Sequence, residues 1–183
     1  MNLFLFSAVF ALENGQQVPD FTLSSTDGLR YQLSSYQGKV VVLEWFNPGC
    51  PFVKYTYEHS LTTTTANNNP DVVWLAINSS APNKQGHGLE TNIEAKKTWN
   101  IPYPILLDEN GGVGKLFDAK TTPHMFVIDQ KGVLVYQGAL DDSPMGRGGK
   151  RTSYVENVLE SLKKGTPIEV GKSQAYGCSV KYQ

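Results

Sequence analysis

Short apolar runs alternate along the chain with stretches of helical periodicity. The runs at 39–46 and 71–78 are rich in β-branched residues, which predicts strands that are buried on both faces. Apolar residues at helical spacing predict helices over 89–100 and 154–164, and Gly165 is a typical end for the second of them. These four segments supply the centre of a globular fold.

Shorter elements lie between these segments. A helix is expected to begin at Pro51, because proline is favoured in a first helical turn, and to continue into the threonine repeat at 62–65. The other predictions are a hairpin of 21–24 with 31–33, a strand at 103–107, a helical turn at 113–117 and a hairpin of 125–129 with 133–136. Strands that alternate with helices and then form an antiparallel hairpin predict an α/β fold with helices on both faces of a mixed sheet.

The composition is that of an ordinary globular protein. The chain has 183 residues, of which 40% are hydrophobic and 18% are charged, and this length suits one domain. The formal net charge is -1 and the basic residues are scattered, so that nothing in the sequence attracts nucleic acid or an anionic membrane. We therefore expect one domain over 18–183, with no nucleic-acid partner and no membrane span.

An apolar run at 3–12 opens the chain, and only Ser7 interrupts it. This run is too short to span a bilayer, but it has the length of the apolar part of a signal peptide. The cationic residues that usually precede such a part are missing, so an N-terminal strand docked on the fold is the alternative. The sequence predicts a leader over 1–17 and favours an exported, periplasmic or extracellular protein over a cytoplasmic one.

Cysteine is the residue type with the clearest chemistry. Cys50 and Cys178 are the only cysteines, and no CxxC pair or Cys/His cluster indicates a zinc site. Cys50 lies between a predicted strand and a predicted helix, where the helix dipole and unpaired N–H groups stabilise a thiolate. Two unreactive buried thiols are the alternative interpretation. Thr122-Pro123, directly before a predicted strand, is a candidate cis peptide.

Two motifs together resemble a known superfamily. The segment VVLEWFNPGCPFVK, followed further along by TTPHMFVIDQKGVLVYQG, resembles the thioredoxin superfamily. The segment VPDFTLSSTDGLRYQLSSYQGKVVVLEWF is similar to its alkyl hydroperoxide reductase and thiol-specific antioxidant branch, the peroxiredoxin-like redoxins. The resemblance covers residue 18 to the C-terminus. It implies a thioredoxin-like fold with an N-terminal hairpin, and a peroxiredoxin-like or thiol-disulfide oxidoreductase activity.

The resemblance also implies roles for individual residues. Cys50 matches the first cysteine of the thioredoxin CxxC motif and the peroxidatic cysteine of peroxiredoxins, which makes it the nucleophile. Pro123 matches the cis-proline that faces this cysteine, and Thr122 matches the residue whose backbone pairs with substrate peptides. The substrate would be a peroxide or a protein disulfide and the reductant an external thiol, with no metal or organic cofactor.

The chain departs from the family pattern at three places. Val53 stands where the second CxxC cysteine would be. Asn47 stands where peroxiredoxins have threonine or serine, and its amide can still donate a hydrogen bond to a peroxide oxygen or a thiolate. No arginine occupies the position that peroxiredoxins use.

Three further residues have more than one interpretation. Cys178, on a polar tail at 174–183 that is expected to be flexible, is a resolving cysteine, a structural partner of Cys50 or a spectator. His124 is a proton shuttle near Cys50 or a surface residue. Glu44, inside a predicted buried strand, relays protons to Cys50 or has a purely structural partner.

The leading hypothesis is a thiol-based oxidoreductase with Cys50 as the nucleophile. A non-catalytic module that docks an extended peptide beside Thr122-Pro123 is the first alternative, because a fold does not fix a function. A weaker alternative is a metallochaperone that holds Cu(I) with Cys50 and His124.

Overall fold

The apolar runs form the strands of one central sheet in a computed structural model, which describes residues 11–183. In chain order the strands are β1 (Thr22–Ser25), β2 (Arg30–Gln32), β3 (Val41–Trp45), β4 (Val73–Asn78), β5 (Ile105–Leu107), β6 (Thr121–Thr122), β7 (His124–Ile128), β8 (Leu134–Gly138) and β9 (Cys178–Ser179). The central sheet has the order β2-β1-β5-β4-β3-β7-β8, and β6 pairs separately with β9. Because β3 runs parallel to β4 and antiparallel to β7, the predicted mixed sheet is confirmed.

Helices cover both faces of the sheet, as the sequence predicted. Within residues 11–183 the α-helices are α1 (Pro51–Glu58), α2 (Leu61–Asn67), α3 (Leu89–Thr98), α4 (Gly112–Leu116) and α5 (Tyr154–Lys164). Side chains of α1, α3 and α5 contribute to one apolar layer, and side chains of α4 contribute to the layer on the opposite face. The bounds of α5 agree with the prediction because both ends carry local signals. Ser153 accepts a hydrogen bond from the N–H of Glu156 at 3.2 Å, and Gly165 ends the helix in a left-handed conformation.

Side chains along β3 alternate between the two faces of the sheet. This alternation decides which of them lie in the same layer as Cys50. Every residue of β3 is buried, because the strand lies between β4 and β7 and apolar layers cover both of its faces. Val42 belongs to the apolar layer that contains Cys50, and Trp45 belongs to the opposite layer. Glu44 is two residues from Val42, so its side chain faces the layer of Cys50.

The helix predicted from Pro51 into the threonine repeat is two helices, and this prediction was wrong. α1 ends at Glu58 and α2 begins at Leu61. Ser60, between them, has a left-handed backbone with φ of 54°. Neither proline nor glycine marks this break, so the sequence carried no signal for it.

Replacing Ser60 by glycine is expected to raise the free energy of unfolding by about 0.5–1 kcal/mol. A side chain with a β-carbon is strained in the left-handed region, and glycine removes this strain at a smaller cost in chain entropy. Urea unfolding under reducing conditions measures the change. Ser60→Ala keeps the β-carbon and should show no gain. Equal stabilities of the two variants would contradict the strain at this position.

Residues 11–17, which the sequence predicted as part of a leader, pack against the rest of the fold. Leu12 is buried, and the N–H of Gly15 donates to the carbonyl oxygen of Leu134 at 2.8 Å. Gln17 forms a bridge with Val133. The remainder of the apolar run lies in residues 1–10, outside the described residues. In the described part of the chain, no helix combines the length and the apolar character needed to cross a membrane.

Candidate active site

The turn between β3 and α1 holds Cys50 at the start of a helix. The Oδ1 atom of Asn47 accepts a hydrogen bond from the N–H of Gly49 at 2.8 Å. The carbonyl oxygen of Asn47 accepts another from the N–H of Cys50 at 3.0 Å. Pro51 then begins α1, so that Cys50 is the residue immediately before the first helical turn. Its sulfur is therefore beside N–H groups that have no partner within the helix.

The C-terminal tail crosses this site, and the expectation that it is flexible was wrong. β9 runs antiparallel to β6, which aligns Cys178 with Thr122 and Ser179 with Thr121. The N–H of the next residue, Val180, donates to the carbonyl oxygen of Lys120 at 3.0 Å. Backbone pairing between segments far apart in the sequence satisfies the polar groups of the tail and orders it.

Two groups approach the sulfur of Cys50 closely. The Sγ atom of Cys178 lies 2.7 Å from the Sγ atom of Cys50, and the carbonyl oxygen of Thr122 lies 2.9 Å from it. The bond from Thr122 to Pro123 is cis. Cys50 is completely buried, whereas Cys178 is partly exposed. The structure therefore brings together Cys50, Cys178, Thr122 and Pro123 from three separate segments.

The surroundings of Cys50 favour its ionised form. Burial raises the pKa of Cys50, but hydrogen bonds from Cys178 and from the N–H of Val53, together with the nearby Thr122 hydroxyl, outweigh burial and bring the pKa below its ordinary value. Among the described residues the Thr122 hydroxyl is buried without a hydrogen-bond partner. The Thr122 carbonyl, in contrast, is the acceptor for the Cys50 thiol form.

The pKa of Cys178 shifts in the opposite direction. Burial, together with the neighbouring Cys50 sulfur, raises the pKa of Cys178 to about 11. When the pair loses its first proton, the charge therefore resides on Cys50 and the remaining proton on Cys178. This division makes Cys50 the better nucleophile and the better leaving group of the two.

Glu44 lies in the same apolar layer and is enclosed by aromatic hydrogen-bond donors. Its Oε2 atom accepts from the hydroxyls of Tyr57 at 2.8 Å and Tyr103 at 3.1 Å, and from the indole N–H of Trp74 at 3.3 Å. Burial raises the pKa of Glu44 to about 7, although each of these hydrogen bonds lowers it. No hydrogen bond joins Glu44 directly to Cys50 within residues 11–183. Glu44 is thus a buried group that exchanges its proton near neutral pH.

Both polar atoms of the Asn47 side chain already have hydrogen-bond partners around the turn. Its Nδ2 atom donates to Oγ of Ser80 at 3.2 Å and to the carbonyl oxygen of Gln85 at 3.0 Å. Its Oδ1 atom already accepts from Gly49. The amide that the sequence suggested as a donor to a peroxide oxygen would have to give up one of these bonds to reach Cys50.

His124 lies on the face of the sheet opposite Cys50. It is the cross-strand partner of Trp45, and such partners face the same side. Its ring packs on Phe126 with centroids 4.4 Å apart, and burial lowers the pKa of His124 to about 4. The structure therefore does not bring His124 to Cys50, either as a proton shuttle or as a second ligand for Cu(I). Within residues 11–183, no three His, Cys, Asp or Glu side chains are grouped to hold a metal ion.

A buried thiol at a helix start, a second thiol next to it and an adjacent cis-proline define a thiol redox site on an α/β fold. The family model named Redoxin matches residues 13–159, and the chain belongs to this family. These findings agree with the resemblance seen in the sequence.

Individual relatives support the same class of protein. The chain is 26% identical over 145 residues to the thiol-disulfide oxidoreductase ResA of Bacillus subtilis (strain 168), covering 76% of this chain and 78% of ResA. It is 26% identical over 168 residues to the peroxiredoxin Bcp of the same strain, covering 83% of this chain and 96% of Bcp. The crystal structure of an uncharacterized conserved protein from Geobacillus kaustophilus superposes with a TM-score of 0.85 at 29% identity, over 94% of this chain and 93% of that one. The fold is thioredoxin-like and the function is thiol-based redox chemistry.

Several functional contacts had little or no signal in the sequence. Nothing in the spacing of Tyr57, Trp74 and Tyr103 indicates that all three surround one carboxylate. The pairing of β9 with β6 was also missed, because two-residue strands have no periodicity. Gly177, directly before Cys178, was the one local hint that the tail backbone passes close to another segment.

Proposed function

We propose that Cys50 is the nucleophile and Cys178 the resolving thiol of a thiol-dependent oxidoreductase whose substrate is a peroxide or a disulfide. The observation that carries this proposal is the 2.7 Å separation of the two sulfur atoms. Sulfurs this close form a disulfide with only a small movement. The low pKa of Cys50 and the high pKa of Cys178 support the assignment of the two roles.

With a hydroperoxide the reaction has two chemical steps. The Cys50 thiolate attacks one peroxide oxygen, the O–O bond breaks, and the other oxygen leaves as an alcohol or water after taking a proton. The sulfur, now a sulfenic acid, has lost two electrons to the peroxide. The sulfur of Cys178 then attacks the sulfur of Cys50, a disulfide forms, and the sulfenic oxygen leaves as water with the proton of Cys178. A disulfide substrate would instead give a mixed disulfide on Cys50, which Cys178 resolves.

An external thiol completes the cycle by attacking Cys178. This sulfur is the partly exposed member of the pair, whereas Cys50 is completely buried. The leaving thiolate is then Cys50, whose lower pKa makes it the better leaving group. A second thiol of the reductant displaces Cys178 and restores both thiols.

The alternative of a non-catalytic peptide-binding module has less support. The strand beside Pro123 on which an extended peptide would lie is already paired with β9 of the same chain. We also propose that the protein is exported, which the apolar run at 3–12 supports. An oxidising compartment favours a disulfide as the resting state of the pair.

Oxidation of the reduced protein by hydrogen peroxide tests the proposed function. We expect Cys50 to react faster than free cysteine, both thiols to disappear together, and the intact mass to fall by the two thiol hydrogens. The urea-unfolded protein is the control, because there both thiols behave as ordinary cysteines and reaction slows. If Cys50 reacts no faster in the folded protein than in urea, peroxidase activity is excluded. The same comparison of folded and unfolded protein would then be made with a small disulfide as the oxidant.

A further inference from the structure

The C-terminal tail lies where an extended substrate peptide would otherwise lie. β9 adds to the edge formed by Thr121 and Thr122 by antiparallel backbone pairing, which is the general way in which an extended peptide adds to a sheet edge. Its Cys178 places a sulfur 2.7 Å from Cys50, where the sulfur of a substrate cysteine would have to be. The tail therefore fills both the backbone edge and the side-chain position of such a substrate.

Gly177 permits an unusually close approach of the tail backbone. A β-carbon at this residue would lie 2.1 Å from the carbonyl oxygen of Thr122 and 3.2 Å from the nitrogen of Pro123. Its φ is +138°, which side chains with a β-carbon rarely adopt. Only glycine fits without a shift of the tail or of the Thr122–Pro123 peptide.

Contacts on both sides of Gly177 hold the tail down. The hydroxyl of Tyr176 donates to Oδ1 of the buried Asp141 at 2.6 Å. Beyond β9, the hydroxyl of Tyr182 donates to the carbonyl oxygen of Ala119 at 2.9 Å, and its ring fills the space above Gly111. Displacing the tail as a whole would break the β6–β9 pairing and these anchors together.

We propose that the docked tail restricts Cys50 to oxidants of the size of a hydroperoxide by excluding the disulfides of extended peptides. This inference rests on the proposed function, since it concerns which substrate reaches the same sulfur. A hydroperoxide has to reach only the sulfur of Cys50, beside the partly exposed Cys178. A peptide disulfide needs the edge of β6 and therefore the removal of the whole of β9.

Two probes of different size test the restriction in the Cys178→Ser chain, in which Cys50 is the only thiol. The small probe is dithiodipyridine, and the large probe is a peptide with the sequence of residues 175–181 whose cysteine carries a thiopyridyl group. Attack by Cys50 forms a disulfide with either probe and releases pyridinethione, whose absorbance gives the rate. In this background we expect a low rate for the peptide relative to the small disulfide.

Releasing the tail should raise the ratio of the peptide rate to the small-disulfide rate. Adding Gly177→Ala is expected to increase the peptide rate relative to the small-disulfide rate by about tenfold or more, because the new β-carbon collides with the Thr122 carbonyl. Tyr182→Ala removes an anchor at the other end and should act in the same direction. Gly148→Ala is the matched control, since its φ is also positive and its β-carbon meets only one atom, at 3.9 Å.

Hydrogen exchange of the Val180 N–H, which donates to Lys120, reports whether the tail has moved. An unchanged ratio in a variant whose Val180 exchanges freely would overturn the proposal, while a fast reaction with the small disulfide would leave the proposed function intact. Protection that survives both substitutions would contradict the close packing on which the proposal depends. If Cys50 reacts with neither hydrogen peroxide nor the small disulfide faster than free cysteine, the proposed function itself fails.

Discussion

Replacing Cys50 by serine is expected to lower the rate of peroxide consumption, in the presence of an external thiol, by at least about 10³-fold. The hydroxyl of serine remains protonated at neutral pH and is a poor electron-pair donor toward a peroxide oxygen. Cys178 would not replace the lost nucleophile, because burial, the largest cause of its raised pKa, remains in this variant and keeps its thiolate scarce. Peroxide consumption is followed directly with the reduced protein.

The matched variant Cys178→Ser should separate the two roles. Its Cys50 still reacts with peroxide, but oxidation stops at a sulfenic acid, which a sulfenic-acid-specific reagent labels and intact mass identifies. Turnover then depends on attack of the external thiol on a sulfur that is buried in the folded protein. Equal loss of the first oxidation step in both variants would contradict the division of roles between the two cysteines.

The sequence identified those parts of the fold that carry local signals. The buried strands have β-branched runs, and α5 has a serine cap and a terminal glycine, so their positions followed from the residues themselves. The break at Ser60 has no such signal, because a left-handed serine is stabilised by its surroundings and not by its own preference. Local preference alone extends a helix across this position.

The candidate site was only partly accessible to the same reasoning. The placement of Cys50 followed from a strand that ends and a helix that begins, which are neighbours in sequence. Its contact with Cys178 joins residues 128 positions apart, and no pattern in the chain specifies that distance. His124 shows the opposite problem: its proximity to Pro123 in sequence suggested proximity to Cys50, but side-chain alternation in β7 turns it to the far face.

Glu44 and His124 also make a joint prediction about stability and pH. Burial raises the pKa of Glu44 from 4.5 to about 7, so the native state binds this proton more tightly than the unfolded chain does. The contribution of Glu44 to the free energy of unfolding therefore falls by about 3 kcal/mol as the pH rises from about 4.5 through 7. Burial lowers the pKa of His124 from 6.5 to about 4, so stability from His124 is lost as pH falls over that range, by about 3 kcal/mol.

Because the two effects have opposite signs, the wild-type protein should show a nearly constant free energy of unfolding between about pH 4.5 and 6.5. Glu44→Gln removes the contribution that falls with rising pH, and the free energy of unfolding of this variant is expected to increase across this window by about 2 kcal/mol. His124→Asn removes the contribution that rises with pH. The free energy of unfolding of this variant should therefore decrease by a similar amount as the pH rises across the window. Urea unfolding at a series of pH values, with both cysteines kept reduced, measures the slopes. The slopes are compared instead of absolute stabilities, because each substitution also changes packing. Parallel curves for the three proteins would mean that neither side chain titrates abnormally in the native state.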